Sequence, residues 1–250
     1  MFPLRDDNPT LRTPIVTILL IATNVIVWLY VQGGGVSELA LGESVCTFGA
    51  IPAEVTGRTG TFEGIELDPS LPPCAFGGLT WATVVTSLFL HGSWVHLLAN
   101  MWFLWLFGNN VEDSMGRTRF LLFYLLTGVA ATGAHIAAEP GSMLPLVGAS
   151  GAISGVMGAY LVLYPRIQIR TLFIVFVFLR IVPVAAWFVL LLWFGLQLLS
   201  GYLAPVGQGG VAFWAHAGGF VAGVVLVKLF EDRGRVAEKR RDPRPLRAPP

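Results

Sequence analysis

Six apolar runs, each long enough to form a helix through a hydrocarbon layer, constrain this chain more than any other feature. They are Thr13–Val31, His91–Val111, Phe120–Ala138, Gly148–Tyr164, Pro183–Leu203 and Val211–Phe230. A bilayer core about 30 Å thick asks for roughly 20 apolar helical residues, fewer where a helix end is buried in protein. Composition points the same way. Only 12% of the 250 residues are charged, 54% are apolar and the mean hydropathy is +0.69, whereas soluble domains carry roughly 25% charged residues. So few polar side chains cannot cover a globule in water, which excludes a soluble enzyme and a disordered chain. Two cysteines are too few for a disulfide scaffold or a four-ligand zinc site. The expected class is an all-α membrane protein, a six-transmembrane-helix bundle.

Shorter apolar runs fit less simply. Thr171–Val182 follows Arg166 and Arg170 and is closed by Pro183, so it reads as an interfacial or re-entrant piece, or as the first turns of the fifth span. Leu79–Leu90 is expected at the opposite surface. The first run exceeds a signal-peptide core and lacks a suitable small-residue cleavage site, so it reads as a retained anchor. Short cytoplasmic loops retain lysine and arginine. With six spans, one side holds Arg5, Arg12, Arg117, Arg119, Arg166, Arg170, Lys228 and a basic tail, while the other holds Arg58. Both termini are therefore expected in the cytoplasm.

This gives three parts: a cytoplasmic segment 1–12, a six-span domain 13–230 with a long outer loop over 32–90, and a tail 231–250. The polar stretch of that loop, from Gln32 to about Thr80, contains Glu38, Glu43, Glu54, Glu63, Glu66 and Asp68, Pro69, Pro72 and Pro73, and both Cys46 and Cys74. Outside the membrane the two cysteines either pair, closing a loop of about thirty residues that stabilises by on the order of 3 kcal/mol, or stay free. The tail is charged and proline-rich, including Arg244 and Arg247, and is expected to be disordered and attracted to anionic lipid.

Polar side chains at membrane depth are costly to desolvate and therefore mark function. They are His91, His96 and Asn100 in the second span, His135 in the third, Ser150 and Ser154 in the fourth, Gln197 in the fifth and His216 in the sixth. The even-numbered spans start on the outer side, which puts Asn100, Ser150 and His216 within about ten residues of an outer end, at most roughly 15 Å deep. Gly148, Gly151, Gly155 and Gly158 stud the fourth span, and Ala215, Gly219 and Gly223 repeat at four-residue spacing in the sixth. Such small-residue stripes let two helix backbones touch, bringing Ser150 toward His216. Ser150 opens a helix, where serine commonly serves as a cap, but the helix-start amides beside it can also hold an oxyanion. His216 would take its proton as general base. With Glu112 and Glu139 at span ends, no mid-membrane carboxylate exists to complete a triad, leaving a Ser-His dyad. Asn100 and His96, one turn apart on one helix face, are either oxyanion donors or interhelical hydrogen bonds. His91 reads as a buttress of the first loop, His135 as interfacial and Gln197 as a helix–helix bond.

The segments His91-Gly-Ser-Trp-Val-His96-Leu-Leu-Ala-Asn100, Gly148-Ala-Ser150-Gly151 and Ala215-His216-Ala-Gly-Gly219-Phe-Val-Ala-Gly223 resemble the three signature segments of the rhomboid intramembrane serine proteases, in order and on the expected spans. Glu112 and Gly116 also match, and the resemblance covers about residues 10–230. It implies Ser150 as nucleophile, His216 as general base, and Asn100, His96 and the Ser150 amide as the oxyanion site. It further implies cleavage of transmembrane protein substrates near their outer ends within the lipid bilayer, lateral substrate entry near the second and fifth spans, and no metal, nucleotide or other cofactor. Trp187, Phe188, Trp193 and Phe194 would be gate residues or lipid-facing aromatics. No nucleic acid partner is expected, and the expected location is a bacterial plasma membrane. Two positions depart from the pattern. Many members carry a tyrosine four residues after the nucleophile, stacked on the imidazole, where this chain has Ser154, and a Trp-Arg pair where it has Ala82 and Thr83, with Trp81 one place early. The alternative is a non-proteolytic rhomboid-fold protein that binds membrane clients. A small transporter fits poorly, because paired ionisable groups near the midplane and a duplicated half are missing.

Overall fold

The computed structural model describes residues 2–66, 73–77, 80–175, 178–203 and 212–241. Asp68, Pro69 and Pro72 of the first loop, Leu79, Val211, and Arg244 and Arg247 of the tail lie outside the described residues.

The chain begins with strand β1 (Phe2–Asp6) and helix α1 (Ile15–Ile26), which continues through a π-helical turn over Val27–Val31. The first loop is more ordered than its composition suggests. It forms α2 (Glu38–Phe48), whose first turn is capped by the Ser37 hydroxyl accepting from Ala40 N at 3.2 Å, the short α3 (Pro52–Val55), and a ladder of β2 (Gly64–Ile65) with β3 (Cys74–Ala75). Cys46 and Cys74 are disulfide-bonded, fastening α2 to β3. After α4 (Thr83–Thr86), helix α5 (Trp94–Phe103) runs through a π-helical turn over Leu104–Gly108 into α6 (Asn109–Met115). Then follow α7 (Arg117–Ala138), α8 (Ser150–Leu163), strands β4 (Gln168–Val175) and β5 (Phe178–Ala185), α9 (Ala186–Leu203), α10 (Phe213–Phe230) and α11 (Arg233–Arg241).

Helices α7, α9 and α10 are long and apolar enough to cross a membrane, and Ile15–Val31 and Ser150–Leu163 are shorter apolar helices. Large apolar side chains such as Leu19, Leu122, Leu196, Leu199, Val225 and Leu229 face outward. That arrangement suits lipid rather than water. The middle belongs to α8, where Gly151 through Tyr160 are all buried, as expected for a helix apolar on every side.

Glycine sets how closely α8 and α10 approach. A Cβ placed on Gly219 would lie 2.1 Å from the Gly151 carbonyl oxygen, and one on Gly223 would lie 2.0 Å from that of Gly155. The two helices are in backbone contact along the stripe that the sequence carries, a packing mode open only to the smallest residues.

Two segments differ from the sequence expectation. Thr171–Val182, read as an interfacial or re-entrant piece or as the first turns of the fifth helix, does not form those helical turns. It lies within the β4–β5 hairpin, whose antiparallel register runs from Gln168 opposite Ala185 to Val175 opposite Phe178, and β1 pairs on the far side of β4. Ile169, Thr171, Ile181, Val182 and Val184 are β-branched residues suited to strands. Pro183, which bars helix, sits in the edge strand β5, where a missing N–H is tolerated. The fifth helix consequently starts at Ala186 instead of Pro183. The tail was expected to be disordered, and its described residues form α11 over Arg233–Arg241. Asp232 starts it by accepting from Gly234 N at 2.9 Å and Arg235 N at 3.2 Å, the side-chain cap a helix start needs.

A buried polar network fixes the end of the bundle that holds β1 and α11. Glu112 accepts from Val16 N at 3.0 Å and from Thr17 N and Oγ1 at 2.8 Å each, satisfying orphan amides at the α1 N-terminus with a favourable negative charge. Asp113 accepts from Leu11 N at 2.9 Å and faces Lys239 Nζ of α11 at 3.4 Å. Asp6 accepts from Asn110 Nδ2 at 2.8 Å and from the Tyr160 hydroxyl. Burial lifts the Asp6 carboxyl to about 6, against the lowering effect of the Tyr160 bond and of Lys239. Burial likewise lowers the Lys239 ammonium to about 8, with Asp113 opposing.

Candidate active site

Ser150 is the first residue of α8, and Ala149 occupies the cap position with no side-chain hydrogen bond to the helix start. The serine is therefore not spent as a cap. Its Oγ lies 2.7 Å from His216 Nε2 on α10. The glycine contact between α8 and α10 explains that proximity, because His216 stands one turn before Gly219 on the same helix. The other ring nitrogen, Nδ1, lies 2.8 Å from Gln197 Oε1 on α9. The Trp193 ring, one turn earlier on α9, lies against the imidazole with centroids 5.9 Å apart and planes inclined by 35°.

Ser150 and His216 line a cavity of about 530 Å³ together with His96, Asn100, Ser154 and Trp193. Asn100 Nδ2 is buried without a hydrogen-bond partner among the described residues. A buried amide donor left open in this way costs about 1–3 kcal/mol and is free for a ligand oxygen. His96 sits on α5 next to the loop that enters α8. Its N–H is capped by Ser93 Oγ at 3.1 Å, and its Nε2 would be only 2.8 Å from a Cβ placed on Gly148. Gly148 has φ of +128°, a backbone conformation that residues with a side chain rarely adopt. Glycine at 148 thus gives the His96 ring its place beside Ser150.

The four expected site residues, Ser150, His216, Asn100 and His96, converge on one cavity. His91 reads in the sequence as a buttress of the first loop. Its backbone is clasped by Gln32, which donates to His91 O and accepts from His91 N, both at 2.8 Å, while the ring packs edge-on against His96 at 5.1 Å. Ser154 is buried and returns its hydroxyl to Ser150 O at 2.6 Å. Among the described residues no three His, Cys, Asp or Glu side chains lie close enough to hold a metal ion. Two contributions come from α9. Gln197 makes the helix–helix bond expected of it, from α9 to α10, and its partner there is the imidazole itself. Trp193 was expected at a gate or facing lipid. A depth count on the fifth span would have flagged Gln197, which stands within about ten residues of the end expected to face outward, as the other site residues do.

Comparison with known proteins gives this geometry a family. A model of the rhomboid domain matches residues 78–232. The chain is 38% identical over 81 residues to the putative rhomboid protease YdcA of Bacillus subtilis, covering 32% of this chain and 40% of that protein. It is 38% identical over 94 residues to the rhomboid protease GluP of the same organism, covering 38% and 18%. Rhomboid protein 1 of Saccharomyces cerevisiae, a mitochondrial protein, is 30% identical over 147 residues, covering 57% and 40%. The matched stretches span less than half the length of each of these relatives. The family match extends over more than half of the chain and includes every residue of the cavity's polar cluster. With helices α7, α9 and α10 long and apolar enough to cross a membrane, this chain is an all-α integral membrane protein that belongs to the rhomboid family.

Proposed function

We propose that the protein is an intramembrane serine endopeptidase that cuts transmembrane segments of other membrane proteins near their extracytoplasmic ends. The observation that carries this reading is the 2.7 Å hydrogen bond between Ser150 Oγ and His216 Nε2 at the wall of a cavity. Ser150 Oγ attacks the scissile carbonyl carbon while its proton passes to His216 Nε2. The carbonyl oxygen becomes an oxyanion, held by the open Asn100 Nδ2, the His96 ring and the Ser150 amide at the start of α8. One such donor contributes about 3 kcal/mol to lowering the barrier. The imidazolium returns its proton to the leaving amine, and water, deprotonated by the same base, releases the acyl group from Ser150.

The basic residues on one side of the expected spans support cytoplasmic termini and a catalytic cavity open to the outer face, and the membrane we propose is a bacterial plasma membrane. The division into segment 1–12, core 13–230 and tail 231–250 belongs to the same reading.

Detergent-purified protein, incubated with a model single-span substrate and analysed by mass spectrometry, tests it. Cleavage near the outer boundary, abolished in both Ser150→Ala and His216→Ala, is the expected result. Wild-type protein that binds such spans but cuts none, beside an active rhomboid control, would favour a client-binding role.

A further inference from the structure

We propose that Gln197 is the positioning residue of the Ser150–His216 pair: its carboxamide oxygen accepts from His216 Nδ1–H and leaves Nε2 bare toward the serine hydroxyl. The inference rests on the peptidase reading for its chemistry and on the α9–α10 geometry for its structure.

A neutral imidazole carries one proton on two nitrogens, and the hydrogen bond at one nitrogen decides the state of the other. With Gln197 Oε1 at 2.8 Å from Nδ1, the proton sits on Nδ1, and Nε2 can accept the Ser150 proton across 2.7 Å. The opposite arrangement has the amide NH2 donating to Nδ1. Nε2 would then carry the hydrogen and point it at Ser150 Oγ, so that no base would face the nucleophile. In an Asp-His-Ser triad, a carboxylate fixes the tautomer and steadies the imidazolium. Among the described residues no carboxylate bonds this ring, and a carboxamide oxygen is the acceptor in its place. The amide dipole also steadies the imidazolium formed after proton transfer without taking up the proton.

Helix α9 supplies a second support. Trp193 and Gln197 are four residues apart on one helix face. The indole lies against the imidazole in a tilted arrangement, centroids 5.9 Å apart, while the amide bonds its Nδ1. Position 154, where many rhomboids carry a stacking tyrosine, holds a serine whose hydroxyl is committed to Ser150 O. The imidazole is therefore steadied from α9 instead of α8.

The test compares wild type, Ser150→Ala, Gln197→Leu and Gln197→Glu in kcat and KM for a model transmembrane substrate. A parallel measurement records long-range 15N–1H spectra of histidine-labelled protein, with His216 assigned by His216→Ala. Leucine keeps the bulk and removes the acceptor, whereas glutamate keeps an acceptor. We expect Gln197→Leu to lower kcat by about 10- to 100-fold with KM within about twofold, and Gln197→Glu to restore kcat to within about fivefold of wild type. In the spectra, His216 carries its proton on Nδ1 in wild type and Gln197→Glu, and Gln197→Leu gives mixed tautomers. Wild-type kcat in Gln197→Leu, equal losses in both variants, or an Nε2–H tautomer in wild type overturns the assignment. Wild-type turnover no faster than Ser150→Ala counts against the peptidase reading instead, and the spectra then decide the role of Gln197 unaided.

Discussion

Gly219→Ala tests whether backbone contact between α8 and α10 sets the dyad distance. A methyl group there would begin 2.1 Å from Gly151 O, 3.0 Å from Gly151 C and 3.2 Å from the Ala131 side chain. Carbon and oxygen atoms settle at about 3.3 Å, so the helices must part locally by about 1.2 Å. Gly151 adjoins Ser150, and Gly219 is one turn from His216. The same displacement carries Oγ···Nε2 from 2.7 Å toward about 3.9 Å, beyond any hydrogen bond. Two effects of opposite sign compete in the stability. Alanine gains about 1 kcal/mol over glycine in helix propensity, while overpacking costs about 1–3 kcal/mol. A clash with rigid backbone lies at the upper end of that range, so overpacking wins. We expect a lower Tm and at least a tenfold slower reaction with a fluorophosphonate probe. Gly133→Ala, whose added methyl meets nothing within 4 Å, is the control and should match wild type in labelling. Gly219→Ala with wild-type Tm and labelling rate would refute the reasoning.

Three further outcomes follow from the geometry. Gly148→Ala combines a strained φ with a methyl 2.8 Å from His96 Nε2, and is expected to slow probe labelling at least tenfold while changing Tm by less than Gly219→Ala does; unchanged labelling counts against the placement of His96. Because folding raises the Asp6 carboxyl from 3.8 to about 6, the folded state holds that proton more tightly. The stabilisation is complete below pH about 4 and is lost as pH rises through about 6, amounting to up to about 3 kcal/mol. In Asp6→Asn the Tm advantage over wild type should therefore grow from pH 4 to 7, and a pH-independent difference contradicts the assignment. Reducing Cys46–Cys74 opens a long loop and should cost about 3 kcal/mol, read as a Tm drop with reductant that Cys46→Ala abolishes.

The sequence showed the apolar runs, the small-residue stripes and the shared depth of Ser150, His216 and Asn100, because each is a local pattern of the chain. The β4–β5 hairpin was hidden because much of it falls in the largely apolar run Thr171–Val182, where the alternation of a half-buried strand is hard to see. Helix α11 was hidden because its anchor is not local. Lys239 gains its place from Asp113 and from the Tyr164 ring, over which its ammonium lies at 5.0 Å, and charge alone made that segment read as solvated. The disulfide was left open because two cysteines in a long loop give spacing but not distance. Gln197 shows the remaining gap. An amide in a span reads as an interhelical bond, and only the fold reveals that its partner is the imidazole.

The most direct test of the account is intact-mass and peptide mass spectrometry of the detergent-purified protein after fluorophosphonate treatment, in wild type and His216→Ala. A single adduct on Ser150 in the wild type, at least a hundredfold slower to form without His216, is the result the dyad requires. No adduct, an adduct on another residue, or equal rates in the two proteins would contradict it.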